Sequence, residues 1–200
     1  MVINLRGTSG SGKTHTARSF MEAHAPDIQI LDSGKTVAHC VYWRMQPVYL
    51  IGSYKNVCGG CDSITSQDMV CSLVRHFSQF GHVIFEGLLM SHLYARYVDL
   101  YNELTEHEEP FVFAFMDTPI ETCIERIIQR RLAKGNMKEL NTANTISKHE
   151  STQGVAKKFK QQGFDVRFIN HKRDPVQQLV EILAEGSVSF EDSYREESFR

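Results

Sequence analysis

The sequence predicts an α/β protein, a mostly parallel five-stranded sheet flanked by helices, with an inserted β-hairpin. Three observations lead there. Short apolar runs alternate with stretches of helical periodicity along most of the 200 residues. A glycine-rich loop separates the first apolar run from the first helical stretch. Two β-rich runs, 36–43 and 47–54, follow one another with Arg44-Met45-Gln46 between them.

Residues 2–5 form the first strand, after which Ala17, Phe20, Met21 and His24 recur at helical spacing until Pro26 stops them. Residues 28–31 read as a short strand, and 36–54 as the hairpin. Cys58-Gly59-Gly60-Cys61-Asp62 bends the chain next. Thr65 with Asp68 then makes a capping box for a helix bearing Met69, Val70, Leu73, Val74 and Phe77, closed by Gly81. A buried strand, 82–85, ends at Glu86-Gly87 and precedes a helix carrying Leu93, Tyr97, Leu100 and Leu104. The run 111–116 is the most apolar strand. After it Thr118 is the expected cap, Pro119 the first helical residue and Glu121 the completion of the box. Ser147 with Glu150 is expected to cap a basic helix, 164–169 is the last strand, and Asp174-Pro175 opens a final helix with Val176, Leu179, Val180 and Leu183 inward. A single domain is expected over 1–184, with a lid region at about 126–148. The acidic, serine-bearing stretch 185–200 reads as a frayed tail.

With 42% hydrophobic and 23% charged residues the chain can bury one core, which excludes a disordered tail or a membrane span. Twenty-two Lys/Arg against 24 Asp/Glu leave a formal charge of −2, so the total advertises neither a nucleic-acid nor a membrane partner. The distribution is uneven. Residues 126–173 hold 12 Lys/Arg and 3 Asp/Glu, a net +9, which leaves −11 for the rest. A solvated helix face is the ordinary source of such a block; a surface that neutralises phosphates on a polyanionic acceptor is the other. Five cysteines, an odd number, with no apolar leader after Met1, point to a reducing cytoplasm and no disulfide framework. Cys58-x-x-Cys61 has no second pair at zinc spacing, so a metal site would need the fold to gather Cys40, Cys71, His39 or His76. The hairpin aromatics Tyr42, Trp43, Tyr49 and Tyr54 are either core or a surface for stacking a base.

Gly7-Thr8-Ser9-Gly10-Ser11-Gly12-Lys13-Thr14 matches G-x-x-x-x-G-K-[ST] between a predicted strand and a predicted helix, the context that turns a pattern into a phosphate loop. Glycines let backbone N–H groups turn inward on phosphate oxygens and the helix end adds its dipole. Lys13 supplies charge, and the Thr14 hydroxyl can hold Mg2+. ATP with Mg2+ is the implied ligand. Glu86, at the end of a buried strand, is placed to orient the metal directly or through water. Arg126 and Arg130 are one helical turn apart and suit a lid that closes on the migrating phosphoryl group, with Arg131 a weaker candidate. A kinase acting on a hydroxyl also needs a carboxylate to orient it and take its proton. Asp62 and Asp32 are the candidates, with Asp62 favoured. Asp32, Tyr54 and Lys148 are candidate contacts to the acceptor.

Taken together, Leu5-Arg6 with the phosphate loop, Cys58-Gly59-Gly60-Cys61-Asp62, Phe85-Glu86-Gly87-Leu88, Met116-Asp117-Thr118-Pro119 and Asn144-Thr145-Ile146-Ser147-Lys148-His149 resemble small phage P-loop kinases of the thymidylate-kinase-like group, among them the 5-hydroxymethyluridine DNA kinases. The resemblance covers most of the chain. It implies a P-loop kinase fold and ATP-dependent phosphorylation of the 5-hydroxymethyl group of modified uracil already in DNA, an activating step toward thymine hypermodification in the host cytoplasm. Two other readings stand beside it, a kinase of free nucleosides or nucleotides and a non-catalytic module gated by ATP. Oligomeric state is left open by the sequence.

Overall fold

A computed structural model describes residues 1–55 and 59–197, with side chains through residue 186. Seven strands form one sheet: β1 (Val2–Arg6), β2 (Ile28–Asp32), β3 (Lys35–Trp43), β4 (Gln46–Ile51), β5 (His82–Glu86), β6 (Phe111–Asp117) and β7 (Val166–Asn170). Their order is β2-β3-β4-β5-β1-β6-β7. The run from β4 to β7 is parallel throughout, while β3 pairs antiparallel with β2 and β4. The five-stranded parallel core is therefore present, but the expected hairpin is built into it. Its second strand, β4, lies parallel to β5, with Tyr49 opposite Val83, and residues 28–31 become an antiparallel edge. Burial explains the exchange. Val48, Leu50 and Ile51 are fully buried, whereas Ile28 and Leu31 stay 50% and 60% exposed.

Among the described residues six α-helices flank the sheet: α1 (Lys13–Ala23), α2 (Gln67–Ser78), α3 (Ala95–Glu106), α4 (Ile120–Ala133), α5 (Thr142–Gln161) and α6 (Pro175–Glu197). Ile3 and Leu5 of β1 point into the core shared with α1 and α6, and Val2 into the one shared with α2, α3 and α5, as the two-residue period of a strand requires. Among the described residues no helix is long and apolar enough to cross a membrane.

Three expected caps are replaced by neighbours. Ser66, not Thr65, caps α2, its hydroxyl accepting from the Asp68 and Met69 amides. Thr118 does not cap α4. Its hydroxyl donates to the Ser11 carbonyl at 2.9 Å, and Pro119 is the residue before the first turn. α5 starts well before Ser147, at an Asn141 cap whose side chain accepts from the Ala143 amide, which leaves Ser147 inside the helix. Asn caps as well as Ser does, so the earlier signal wins. Asp174 caps α6 as expected. α6 then runs to Glu197, so the stretch read as frayed from 185 continues as helix.

The topology decides where chemistry can happen. β1 lies between β5 and β6, with Leu5 opposite Glu86 and Arg6 opposite Phe115. The glycine loop that leaves β1 therefore shares the carboxyl edge of the sheet with Glu86-Gly87 and with the turn into α4, the usual location of ligand sites in such sheets.

Candidate active site

The glycine loop wraps a buried lysine. Lys13 is 6% exposed and its ammonium donates to the carbonyls of Gly7 (2.6 Å) and Thr8 (3.2 Å). Burial pulls its pKa down, against the raising effect of Glu86 and Asp62. The amides of Gly12, Lys13 and Thr14 have no hydrogen-bond partner among the described residues, which leaves donors aimed at an anion at the positive end of α1. Gly10 has φ 80°, and a Cβ there would meet the Cys123 carbonyl at 2.3 Å, so α4 can press against the loop only with glycine at this position.

Thr14 donates its hydroxyl to Glu86 Oε1 at 2.9 Å. Glu86 is 1% exposed, and burial pushes its pKa up to about 7, with Lys13 and the Thr14 hydrogen bond pulling the other way. The segment Gly59-Gly60-Cys61-Asp62 lies directly over this carboxylate. Gly60 has φ 67°, its amide bonds the Ser53 carbonyl at 2.9 Å, and a Cβ there would approach Glu86 Oε1 to 2.6 Å. That close passage delivers Asp62 to the cavity mouth, where both its carboxylate oxygens accept from the Leu88 amide at 2.9 and 3.0 Å.

Arg126 and Arg130 come from the face of α4 that meets the loop. Arg126 Nη1 donates to the Gly10 carbonyl (3.2 Å) and lies 3.5 Å from that of Ser11, while Arg130 Nη2 donates to the Ser9 hydroxyl (3.2 Å). These groups enclose a cavity of about 280 Å3, lined by Thr8, Ser9, Gly10, Gly12, Lys13, Thr14, Asp62, Glu86, Arg126 and Arg130 among the predicted residues. Gly7 and Ser11 belong to the same loop without lining the cavity. The remaining predictions fall elsewhere. Asp32 shares the sheet edge but sits on β2, three strands from β5, and does not line the cavity. Tyr54 is 6% exposed with its ring edge-on to His39, and Lys148 is on α5; neither lines the cavity. Trp43 is buried and Tyr49 stacks on Phe77, so most of the hairpin aromatics serve the core. Cys58 is outside the described residues, and among those described no three His, Cys, Asp or Glu side chains cluster for a metal.

Three cavity residues escaped the sequence reading: His15, Arg18 and Leu88. Arg18 was findable, because it lies one helical turn after Thr14. A fourth lies beneath the site. Arg6 is fully buried with no carboxylate partner among the described residues, its guanidinium between 4.9 and 5.9 Å from the rings of Tyr97, Phe113, Phe115 and Phe159. It donates to the Leu93 carbonyl (2.7 Å) and to the Asn4 side chain, and burial lowers its pKa to about 9. One residue on, the Gly7 amide donates to Ser91 Oγ (3.2 Å), which itself donates to the Gly87 carbonyl (2.8 Å). Segment 87–93 is thus fastened to the loop entrance at one end and holds Asp62 at the other.

The family model for the 5-hmdU DNA kinases matches residues 2–164. A 5-hmdU DNA kinase of Pseudomonas phage PaMx11 is 33% identical over 179 residues, 82% of this chain and 88% of that one. Another, from Pseudomonas phage M6, is 29% identical over 180 residues, 84% and 90% of the two chains. Among solved structures, a deoxyadenosine kinase from M. mycoides aligns over 92% of this chain and 97% of its own, with TM-score 0.45 and 13% identity.

Proposed function

The chain belongs to the 5-hmdU DNA kinase family, and we propose that it transfers the γ-phosphoryl group of ATP to the 5-hydroxymethyl group of 5-hydroxymethyl-deoxyuridine in phage DNA, a step toward thymidine hypermodification. The observation that carries the reading is one cavity holding a phosphate loop, two arginines laid on that loop and a carboxylate fixed at the mouth. Membership in a kinase family sets aside the non-catalytic ATP-gated module.

The loop amides and Lys13 hold the β- and γ-phosphates, and Lys13 gives up its carbonyl contacts to do so. Thr14 and Glu86 fit Mg2+: both offer oxygen, and two protein ligands are what this ion takes when phosphates and water complete its shell. When bound, the ion neutralises charge on the β- and γ-phosphate oxygens. Asp62 orients the acceptor hydroxyl and takes its proton as that oxygen bonds the γ-phosphorus. The bond to the β,γ-bridging oxygen breaks, and ADP leaves with the electron pair. Arg126 and Arg130, already within reach of the loop, stabilise charge on the migrating group. The product carries a phosphate ester where a hydroxyl stood, a far better leaving group for a later substitution at that carbon.

The DNA acceptor draws further support from the +9 block at 126–173. Incubation with ATP and either 5-hydroxymethyluracil DNA, ordinary DNA or free nucleosides, followed by digestion and mass analysis of the nucleosides, tests it. The phosphorylated nucleoside is expected from modified DNA alone. Equal or preferential labelling of free nucleosides would replace the DNA reading with a nucleoside kinase.

A further inference from the structure

The lid region carries an observation that the transfer chemistry does not use. From residue 128 to residue 151, through the second half of α4, the connecting bend and the first half of α5, no residue is buried; the next longest such run among the described residues is 22–36. α5 is anchored by Thr152, Ala156 and Phe159, all in its second half. The arm is nevertheless apolar as well as charged. Ile128, Leu132 and Met137 are 40%, 49% and 80% exposed. With Leu140 they line a groove of about 230 Å3, rimmed by Arg131, Lys138 and the single carboxylate of Glu139. The groove is built, because Arg131 donates to the Lys138 carbonyl at 3.0 Å and the Asn136 amide closes on the Arg131 carbonyl at 2.9 Å.

Charge identifies the occupant. The basic block divides in two. At its far end Arg167 is paired with Asp165 and Glu185, and Arg173 with Glu181. In the arm, Arg131, Lys134, Lys138 and Lys148 have no ion pair among the described residues, and residues 128–151 hold five Lys/Arg against two Asp/Glu. A second copy of so basic an arm would repel the first. A strand of nucleic acid offers both things the arm lacks, phosphates for the cations and flat faces for an apolar groove. Arg126, just before the arm, and Arg130, in its first turn, line the cavity, so a strand lying on the arm leads straight to it.

We propose that the α4–α5 arm grips single-stranded DNA beside the acceptor nucleotide, seating one unstacked base in the Ile128, Leu132, Met137 and Leu140 groove while Arg131, Lys134 and Lys138 take the neighbouring phosphates. The proposal rests on the DNA reading above and assigns it a second contact surface, outside the catalytic cavity.

The test uses the full chain and two variants, Lys134→Ala/Lys138→Ala and Met137→Asp, all at exposed positions. KM is measured for ATP and for single-stranded and duplex oligonucleotides bearing 5-hydroxymethyluracil, over a range of salt. The double variant is expected to raise KM for the single strand about tenfold or more, with KM for ATP unchanged. Its salt dependence should be shallower by about 1.4, two single-strand phosphates at about 0.7 each. Met137→Asp should raise KM for the single strand and leave kcat unchanged. DNA turnover by the wild type with both variants unaffected overturns the arm alone. So does a double variant that loses a dimer while its DNA KM stays put, or a duplex acceptor preferred over the single strand and indifferent to Met137→Asp. A wild type active on free nucleosides and inert on DNA overturns the parent reading and the arm with it.

Discussion

Arg6 and Lys13 bracket the phosphate loop and are 0% and 6% exposed, whereas Lys134 and Lys138 ride on an arm without one buried residue. The charge is the same and the treatment opposite. Burial strips water from Arg6 and Lys13, which costs them basicity and fixes their donors on named carbonyls, Leu93 for one and Gly7 and Thr8 for the other. In that setting a charge acts strongly over a few ångströms and in one direction. The arm's cations keep their water, are screened within about 10 Å at ordinary salt, and act by number. Changes in the first group should therefore appear in the rate of transfer, and changes in the second in affinity for the acceptor.

The buried groups should respond most strongly to substitution. Asp62→Asn, which keeps the shape held by the Leu88 amide and removes the proposed proton acceptor, is expected to lower kcat by roughly 10²–10⁴ with ATP affinity intact. Lys13→Ala should lower it by roughly 10²–10³ and weaken ATP as well, as measured by calorimetric titration. Normal turnover by either variant removes that residue from the reaction.

Arg6→Met sharpens the contrast, because it separates rate from stability. Replacing a buried, unpaired charge by an apolar side chain of similar length is often neutral or stabilising. The same change releases the Leu93 carbonyl and loosens segment 87–93. An unchanged or higher melting temperature is expected together with a kcat lowered roughly ten- to a hundredfold, the scale of a small misplacement of reacting groups. Arg6→Lys keeps charge without the planar fork and should recover little. A variant that simply melts earlier and retains kcat would make Arg6 a packing residue.

His82 supplies a pH dependence far from the cavity. Its Nε2 is 2.7 Å from Gln46 Oε1, and burial first, then the amino terminus, hold its pKa down at about 4 from an ordinary 6.5. Between those values the unfolded chain binds a proton that the folded chain refuses. Stability is therefore complete above pH 6.5 and falls as the pH drops toward 4, by about 3 kcal/mol. Urea titrations across that range should show the loss, and His82→Gln should flatten it. The smallest effect concerns the cap of α2: Ser66→Ala is expected to cost about 1 kcal/mol and Thr65→Ala close to nothing, read from denaturation midpoints.

What the sequence made legible was local. The phosphate loop, Glu86 at a strand end and the Arg126/Arg130 spacing are each set by a few consecutive residues, and all of them line one cavity. What escaped was decided across the fold. Asp32 at the end of β2 and Asp62 in its loop both approach the same sheet edge, and only the strand order puts three spacings of about 4.8 Å between β2 and β5. Thr118 reads as a cap by every local rule, yet the Ser11 carbonyl 107 residues away claims its hydroxyl. Arg6 looks like the end of a strand, and its aromatic surroundings come from α3, β6 and α5, which no window of sequence brings together. β4 joined the parallel core because it buries three aliphatic side chains that β2 cannot match, a contest between segments rather than a property of either.

The step to test is the passage of phosphate, within one cavity, from a nucleotide to an alcohol on DNA. A rapid-quench single turnover with γ-labelled ATP and a 5-hydroxymethyluracil oligonucleotide, run on the wild type and on Asp62→Asn, tests it most directly. Label is expected on the modified base in the wild type, and still on bound ATP in the variant at the same time point. Label released as free phosphate by the wild type, with none on the oligonucleotide, would contradict it.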